Sequence, residues 1–201
     1  MATAPRRPLH KLGSTSLLLA ASPALAHTDH AATGLVAGLL HPVTGWDHLL
    51  AMFAVGLWAA QPHQRSGAIW WLPASFMLAL LAGAAWGWNG VTLPWGAAWV
   101  EPGIAASVLA LGLLIALARC LPLTANLLLT AAFGAVHGYA HGLEWPQATS
   151  PAHYAMGFLL ATAGLHVSGV ALGYATRRHA WASRLTGGLI AASGVGLISP
   201  L

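Results

Sequence analysis

Two short segments place histidines beside carboxylates in otherwise apolar sequence. In the first, HPVTGWDH, His41, Asp47 and His48 lie inside an apolar run, Ala31–Ala60. Ionisable side chains are costly within a bilayer and usually serve a function there. Imidazole combined with carboxylate suits borderline divalent ions such as nickel, cobalt and zinc. We therefore predict that these three residues bind a transition-metal ion. The alternative is a hydrogen-bonded network that only fixes a broken helix.

The second segment, HGYAHGLE, presents His137, His141 and Glu144 at spacings i, i+4 and i+7. Residues at these spacings share one helical face, so two imidazoles and a carboxylate would stand in line. Glycines recur every four residues on another face, where a second helix can pack closely: Gly134, Gly138 and Gly142. We predict that this helix shares one metal site with the first segment. A polar helix end at the membrane interface is the alternative.

Composition predicts an all-α integral membrane protein. Hydrophobic residues make up 57% of the chain and charged residues 6%, with a mean hydropathy of +0.68, which is typical of membrane helices. A span takes about 20 apolar residues, and six runs are long enough. They lie near Ala31–Ala60, Ala68–Trp88, Ala97–Ala118, Pro122–Gly142, Ala152–Ala175 and Ala182–Leu201.

Residues 1–26 have the pattern of a cleavable signal peptide. Arg6, Arg7 and Lys11 precede a short apolar segment, Leu17–Leu25, and small residues allow cleavage after Ala26. The apolar segment is too short to span a bilayer by itself, although a retained anchor is the alternative. The mature chain would be a single six-helix transmembrane domain, residues 27–201.

Arginine positions predict the orientation. The cations that remain after cleavage all fall in alternate connections between spans: Arg65, Arg119, Arg177, Arg178 and Arg184. The positive-inside rule places these connections in the cytoplasm. We therefore predict a multi-pass protein of a bacterial inner membrane, with the mature amino terminus in the periplasm.

The sequence argues against several classes of binding partner. The mature chain is near neutrality, so the sequence pI near 10.0 does not indicate nucleic acid. The sequence has no GxxxxGK[ST] pattern, so no nucleotide is expected. Cys120 is the only cysteine, which leaves no thiolate metal cluster within one chain. The expected partners are the lipid bilayer and a transition-metal ion, and the oligomeric state is not indicated.

The first predicted span is longer than a bilayer requires, so it must tilt or break. Pro42 removes a backbone donor and Gly45 tolerates unusual dihedral angles, so we expect a break around His41 to Gly45. Non-helical backbone at membrane depth persists only where it is buried in protein or lines a cavity. The break therefore indicates a lined site, with Asp47 near the positive end of the second half-helix.

Four further residues have two readings each. Glu101, followed by Pro102, either complements a helix dipole or acts as a ligand or access residue. After cleavage His27 could chelate metal through its α-amine and ring, with His30 as a further donor, or both could belong to a frayed terminus. His166, midway along the fifth span, is either a relay ligand or a packed core histidine, and the packed reading is preferred.

The segments HPVTGWDHLLAM, VEPGIAAS and HGYAHGLE resemble the HupE/UreJ family of nickel and cobalt permeases. The resemblance covers essentially the whole mature chain and includes an HX5DH pattern at His41, Asp47 and His48. Val136 departs from it, because the family commonly has Phe there. The resemblance implies supply of nickel to a hydrogenase or urease, or supply of cobalt. Because the chain has no nucleotide-binding pattern, we expect facilitated or secondary transport from periplasm to cytoplasm. The ion would be cargo rather than a cofactor, and the chain would not be an enzyme.

Two other functions also fit a buried histidine and carboxylate site. An intramembrane metallohydrolase would use three protein ligands and an activated water, although the sequence contains no HExxH signature. A membrane metal-binding accessory protein or sensor would bind the ion without moving it. Ligand chemistry alone does not separate nickel from cobalt or zinc.

Overall fold

The computed structural model of the chain describes residues 34–93, 96–119, 121–144 and 150–198, and within these ranges it contains seven α-helices and no strand. A short 3₁₀ turn, Ala97–Trp99, precedes the fourth helix. The helices are α1 (Gly34–Thr44), α2 (Trp46–Ala59), α3 (Ala68–Trp88), α4 (Val100–Ala116), α5 (Leu123–Leu143), α6 (Pro151–Ala175) and α7 (Ala180–Ile198).

Local sequence explains where the longer helices begin and end. Gly67 adopts φ 87° immediately before α3, and Gly90 adopts φ 67° just after it. This left-handed region is open to glycine and unfavourable for other residues. Gly67 therefore bounds α3 at its start, and Gly90 bounds it at its end. Pro151 opens α6, a position where its missing N–H costs no helical hydrogen bond.

Three segments are long and apolar enough to cross a membrane: Ala68–Trp88, Ala97–Ala116 and Pro151–Ala175. They coincide with the second, third and fifth predicted spans. Helices α5 and α7 lie where the fourth and sixth spans are predicted, and the six-span topology stays a prediction. The predicted signal peptide, His27, His30 and Cys120 lie outside the described residues.

The predicted break in the first span is confirmed at Gly45. This residue separates α1 from α2 with an extended conformation, φ −88° and ψ 116°. Pro42 lies within the last turn of α1 and does not itself end the helix. With 11 and 14 residues, neither half-helix reaches the roughly 20 residues that a span requires.

Helix α2 lies at the centre of the packed helices. It contacts α1, α3, α4, α6 and α7, and its residues from 54 to 59 are all buried. The other main packing pairs are α1 with α6, α3 with α5, and α4 with α7. Because His48 lies in the first turns of α2, the central helix carries a predicted ligand into the interior.

The predicted small-residue face of α5 is confirmed as its contact with α3. A Cβ atom added at its glycines would collide with backbone carbonyl oxygens of α3, namely those of Phe76, Leu80 and Ala84. The α3 and α5 backbones therefore approach more closely than any residue with a side chain would allow. This contact fixes the helix that carries His137 and His141.

We expect Gly138→Ala to lower the thermal stability of the purified protein in detergent. The added methyl group would meet the Leu80 carbonyl oxygen, which belongs to backbone and cannot rotate away, and overpacking of this kind costs about 1–3 kcal/mol. Gly164→Ala is the matched control, because nothing lies within 4 Å of its Cβ position. Equal melting temperatures for the two variants, followed by circular dichroism, would contradict the close contact.

Candidate metal centre

Four histidines from three helices converge beside the break at Gly45. His41 comes from the last turn of α1, His48 from the start of α2, and His137 and His141 from successive turns of α5. The ring centroids of His41 and His141 are 4.7 Å apart, those of His48 and His141 4.4 Å, and those of His48 and His137 5.0 Å. We call these four residues the histidine cluster.

The histidine cluster is enclosed by aromatic side chains. The Phe158 ring lies 4.3 Å from that of His141, and the Tyr154 ring lies 6.0 Å from that of His41. His137 is fully buried and His141 is 4% exposed. Water is therefore largely excluded from the inner part of the cluster, so an ion held there would exchange most of its hydration shell for protein ligands.

Asp47 orients His48. Its Oδ1 accepts hydrogen bonds from the His48 backbone N–H, at 2.7 Å, and from the His48 ring at Nδ1, at 2.6 Å. A carboxylate only accepts, so Nδ1 carries the proton and Nε2 presents its lone pair. A carboxylate behind a histidine raises the basicity of a metal ligand and fixes its tautomer. The geometry thus suits Asp47 to act through His48.

Ser107 of α4 plays the same part for His137. Its hydroxyl donates to the Ile104 carbonyl oxygen at 2.7 Å, and its Oγ lies 2.9 Å from His137 Nε2. Since the only hydroxyl proton is used, the Oγ accepts from the ring and His137 is protonated at Nε2. His137 Nδ1 then carries the free lone pair.

Four other ring nitrogens of the histidine cluster are buried and have no hydrogen-bond partner. They are His48 Nε2, His137 Nδ1, and both Nδ1 and Nε2 of His141. Buried polar groups are nearly always hydrogen-bonded, and each one left unsatisfied costs about 1–3 kcal/mol. Unpartnered ring nitrogens from α2 and α5, buried at this cost, fit a site that takes up a cation.

Carboxylates lie at the more open end of the cluster. Donor atoms of His41, His141 and Glu144 all fall within 4.8 Å of one another, a spacing compatible with one metal ion. Glu101 interacts electrostatically with Asp47, Glu144 and His48, so it belongs to the same neighbourhood. Both glutamates are exposed. Their charge would attract a dication to the cluster.

The structure therefore brings seven predicted site residues into one region: His41, Asp47, His48, Glu101, His137, His141 and Glu144. Their roles as metal ligands stay predictions. Sequence reasoning missed Ser107, Tyr154 and Phe158. Ser107 could have been noticed as a hydroxyl in the apolar run of α4. Most such hydroxyls, however, only bond the backbone of their own helix, so the residue type alone does not indicate a contact with His137.

We expect Ser107→Ala to weaken metal binding by about 10- to 100-fold, the usual effect of removing a residue that orients a metal ligand. The His137 Nε2–H would lose its acceptor, and the tautomer that frees Nδ1 would no longer be favoured. Equilibrium nickel titration of the purified variant measures this loss. Ser168→Ala is the control, because the exposed Ser168 hydroxyl bonds only the Gly164 carbonyl oxygen. Equal affinities in both variants would show that Ser107 does not position His137.

Comparison with known proteins finds one family and a curated relative. The chain matches the family described as "HupE / UreJ protein" over residues 15–197. It is similar to the protein named "Protein HupE" of Rhizobium leguminosarum bv. viciae, with 37% identity over 191 residues, covering 92% of this chain and 96% of that protein. No solved structure matches the chain.

Proposed function

The chain belongs to the HupE/UreJ family, and on this premise we propose that it is a permease for nickel or cobalt. It would take the ion from the periplasm across a bacterial inner membrane to the cytoplasm, by facilitated or secondary transport, and so supply a hydrogenase or urease. The observation that carries the proposal is the histidine cluster, with four buried ring nitrogens that have no hydrogen-bond partner.

The donor set supports a borderline divalent ion. Neutral imidazole nitrogens with nearby carboxylates favour nickel, cobalt or zinc over magnesium, which prefers oxygen ligands. Nickel is chosen among these because the sequence resembles nickel and cobalt permeases. In this proposal Glu101 and Glu144 attract the hydrated ion, and the histidine cluster then replaces most of its water.

The fixed tautomers make the exchange of ligands favourable. His48 and His137 each point one lone pair inward because their other nitrogen is occupied by Asp47 or Ser107. An arriving ion therefore meets ligands that need no reorientation. Its charge is balanced by the Asp47 carboxylate directly behind the His48 ring.

Uptake into proteoliposomes that contain only this protein tests the proposal. We expect radiolabelled nickel to accumulate above the level of protein-free vesicles without ATP, and unlabelled cobalt or zinc to compete to the extent that each is transported. Binding without movement would overturn the permease proposal and favour an accessory or sensor role. Metal-dependent hydrolysis of a lipid or peptide substrate without ion movement would favour a metallohydrolase.

A further inference from the structure

His166 is a second buried histidine site outside the histidine cluster. It lies on α6, is 2% exposed, and has no hydrogen-bond partner at either Nδ1 or Nε2. A neutral imidazole carries one N–H and one lone pair. Leaving both unsatisfied costs about 1–3 kcal/mol for each group, and an apolar side chain of similar size would pack without that cost.

His166 lies further along α6 than Phe158, a residue of this helix that contacts the histidine cluster. It is eight residues beyond Phe158, whose ring contacts His141, so it lies about 12 Å further along α6 at a rise of 1.5 Å per residue. In the predicted topology α6 runs from the periplasmic side inward. His166 is therefore on the cytoplasmic side of the histidine cluster.

One aromatic ring neighbours both His166 and the histidine cluster. The Phe76 ring centroid is 5.7 Å from that of His137 and 5.4 Å from that of His166, and Phe76 is fully buried. The two histidines are thus both neighbours of the Phe76 side chain.

Close contact between α2 and α6 fixes the backbone at His166. A Cβ atom added at Gly56 of α2 would collide with the His166 carbonyl oxygen, so the two backbones touch there. One turn earlier on α6, the Thr162 hydroxyl contacts the Met52 sulfur of α2 at 3.3 Å. The histidine is accordingly held by the backbone contact rather than by hydrogen bonds of its own ring.

We propose that His166 is an inner station for the transported metal ion, separated from the histidine cluster by Phe76. The proposal rests on the proposed function. The ion would pass from His137 to His166 after displacement of the Phe76 ring, and His166 would supply one imidazole ligand there. A single protein ligand binds weakly, which suits a position from which the ion must leave.

His166→Leu tests the inner station, because leucine fills similar space and cannot ligate. We expect at least a tenfold slower nickel uptake, with equilibrium nickel affinity of the histidine cluster unchanged. His166→Cys, which restores a metal ligand, should recover part of the rate. Should the leucine variant fail to fold, His166→Gln keeps a polar side chain of similar size but a poor ligand, with the same expected loss. His179→Leu, in the exposed connection after α6, is the control.

Uptake at the control rate by a folded His166→Leu or His166→Gln variant would overturn the inner station alone. So would a cysteine variant that is no faster than the leucine variant at equal yield, since His166 would then be needed only for packing. Failure of the wild-type protein to move nickel would overturn the permease proposal itself, which makes the two failures distinguishable.

Discussion

His48→Ala is expected to reduce nickel uptake to the level of protein-free vesicles while the protein still inserts in the membrane. The substitution removes the ring that lies between His137 and His141 in the cluster. It also leaves the Asp47 carboxylate without its ring partner at 2.6 Å. The apolar part of α2, a helix that packs against five others, is untouched.

Radiolabelled uptake, normalised to the amount of protein in the membrane fraction, measures the effect. His179→Ala, which removes an exposed histidine from the connection after α6, is the matched control and should transport normally. Asp47→Asn keeps an oxygen acceptor for His48 but removes the negative charge that would balance the ion. We therefore expect this variant to lose nickel uptake as well. Near-normal transport by both His48→Ala and Asp47→Asn would refute the assignment of this site to the transport path.

The effects of His48→Ala and His141→Ala on metal affinity are expected to be strongly non-additive. The two rings are 4.4 Å apart and both present unpartnered nitrogens, so one ion can engage both. Each single replacement should abolish high-affinity binding, and the double replacement should cost little more, because residues that act on one ion do not contribute independently.

Equilibrium nickel titrations of the wild type, the two single variants and the double variant decide this. The pair His48→Ala and His179→Ala is the control cycle, in which the changes in binding free energy should add. Fully additive losses for His48 and His141 would mean two separate ions, one on each side of the cluster, instead of one shared site.

The helix positions could be predicted closely from the sequence. The second predicted span and α3 have the same bounds, Ala68–Trp88, and the fifth span differs from α6 by one residue. This works because a glycine or proline marks the start of each helix, at Gly67 and at Pro151, and the backbone preferences of these residues are local. Gly45 was also predictable as a break, whereas Pro42 proved to lie inside the last turn of α1, where it removes one backbone donor without ending the helix.

The candidate site could be predicted only in part. Histidines and acids in apolar sequence could be recognised as candidate site residues, because ionisable residues are rare in membrane-spanning segments unless they serve a function. The bond between Asp47 and His48 depends on side-chain rotamers, and the contact of Ser107 with His137 depends on how α4 crosses α5. The structure also shows that both ring nitrogens of His166 lack partners, a fact that spacing along one helix cannot reveal.

The central position of α2 has a consequence for biogenesis. Of the described helices, α1 and α2 are made first on the ribosome, yet they pack against α6, and α2 also contacts α7. Contacts so distant in sequence form late. The pair α1 and α2, which carries His41, Asp47 and His48, must therefore wait in the membrane until most of the chain has been synthesised, and incomplete chains would leave it exposed to lipid or to quality-control proteases. The histidine cluster therefore gains its aromatic neighbours, Tyr154 and Phe158, only after α6 has been made.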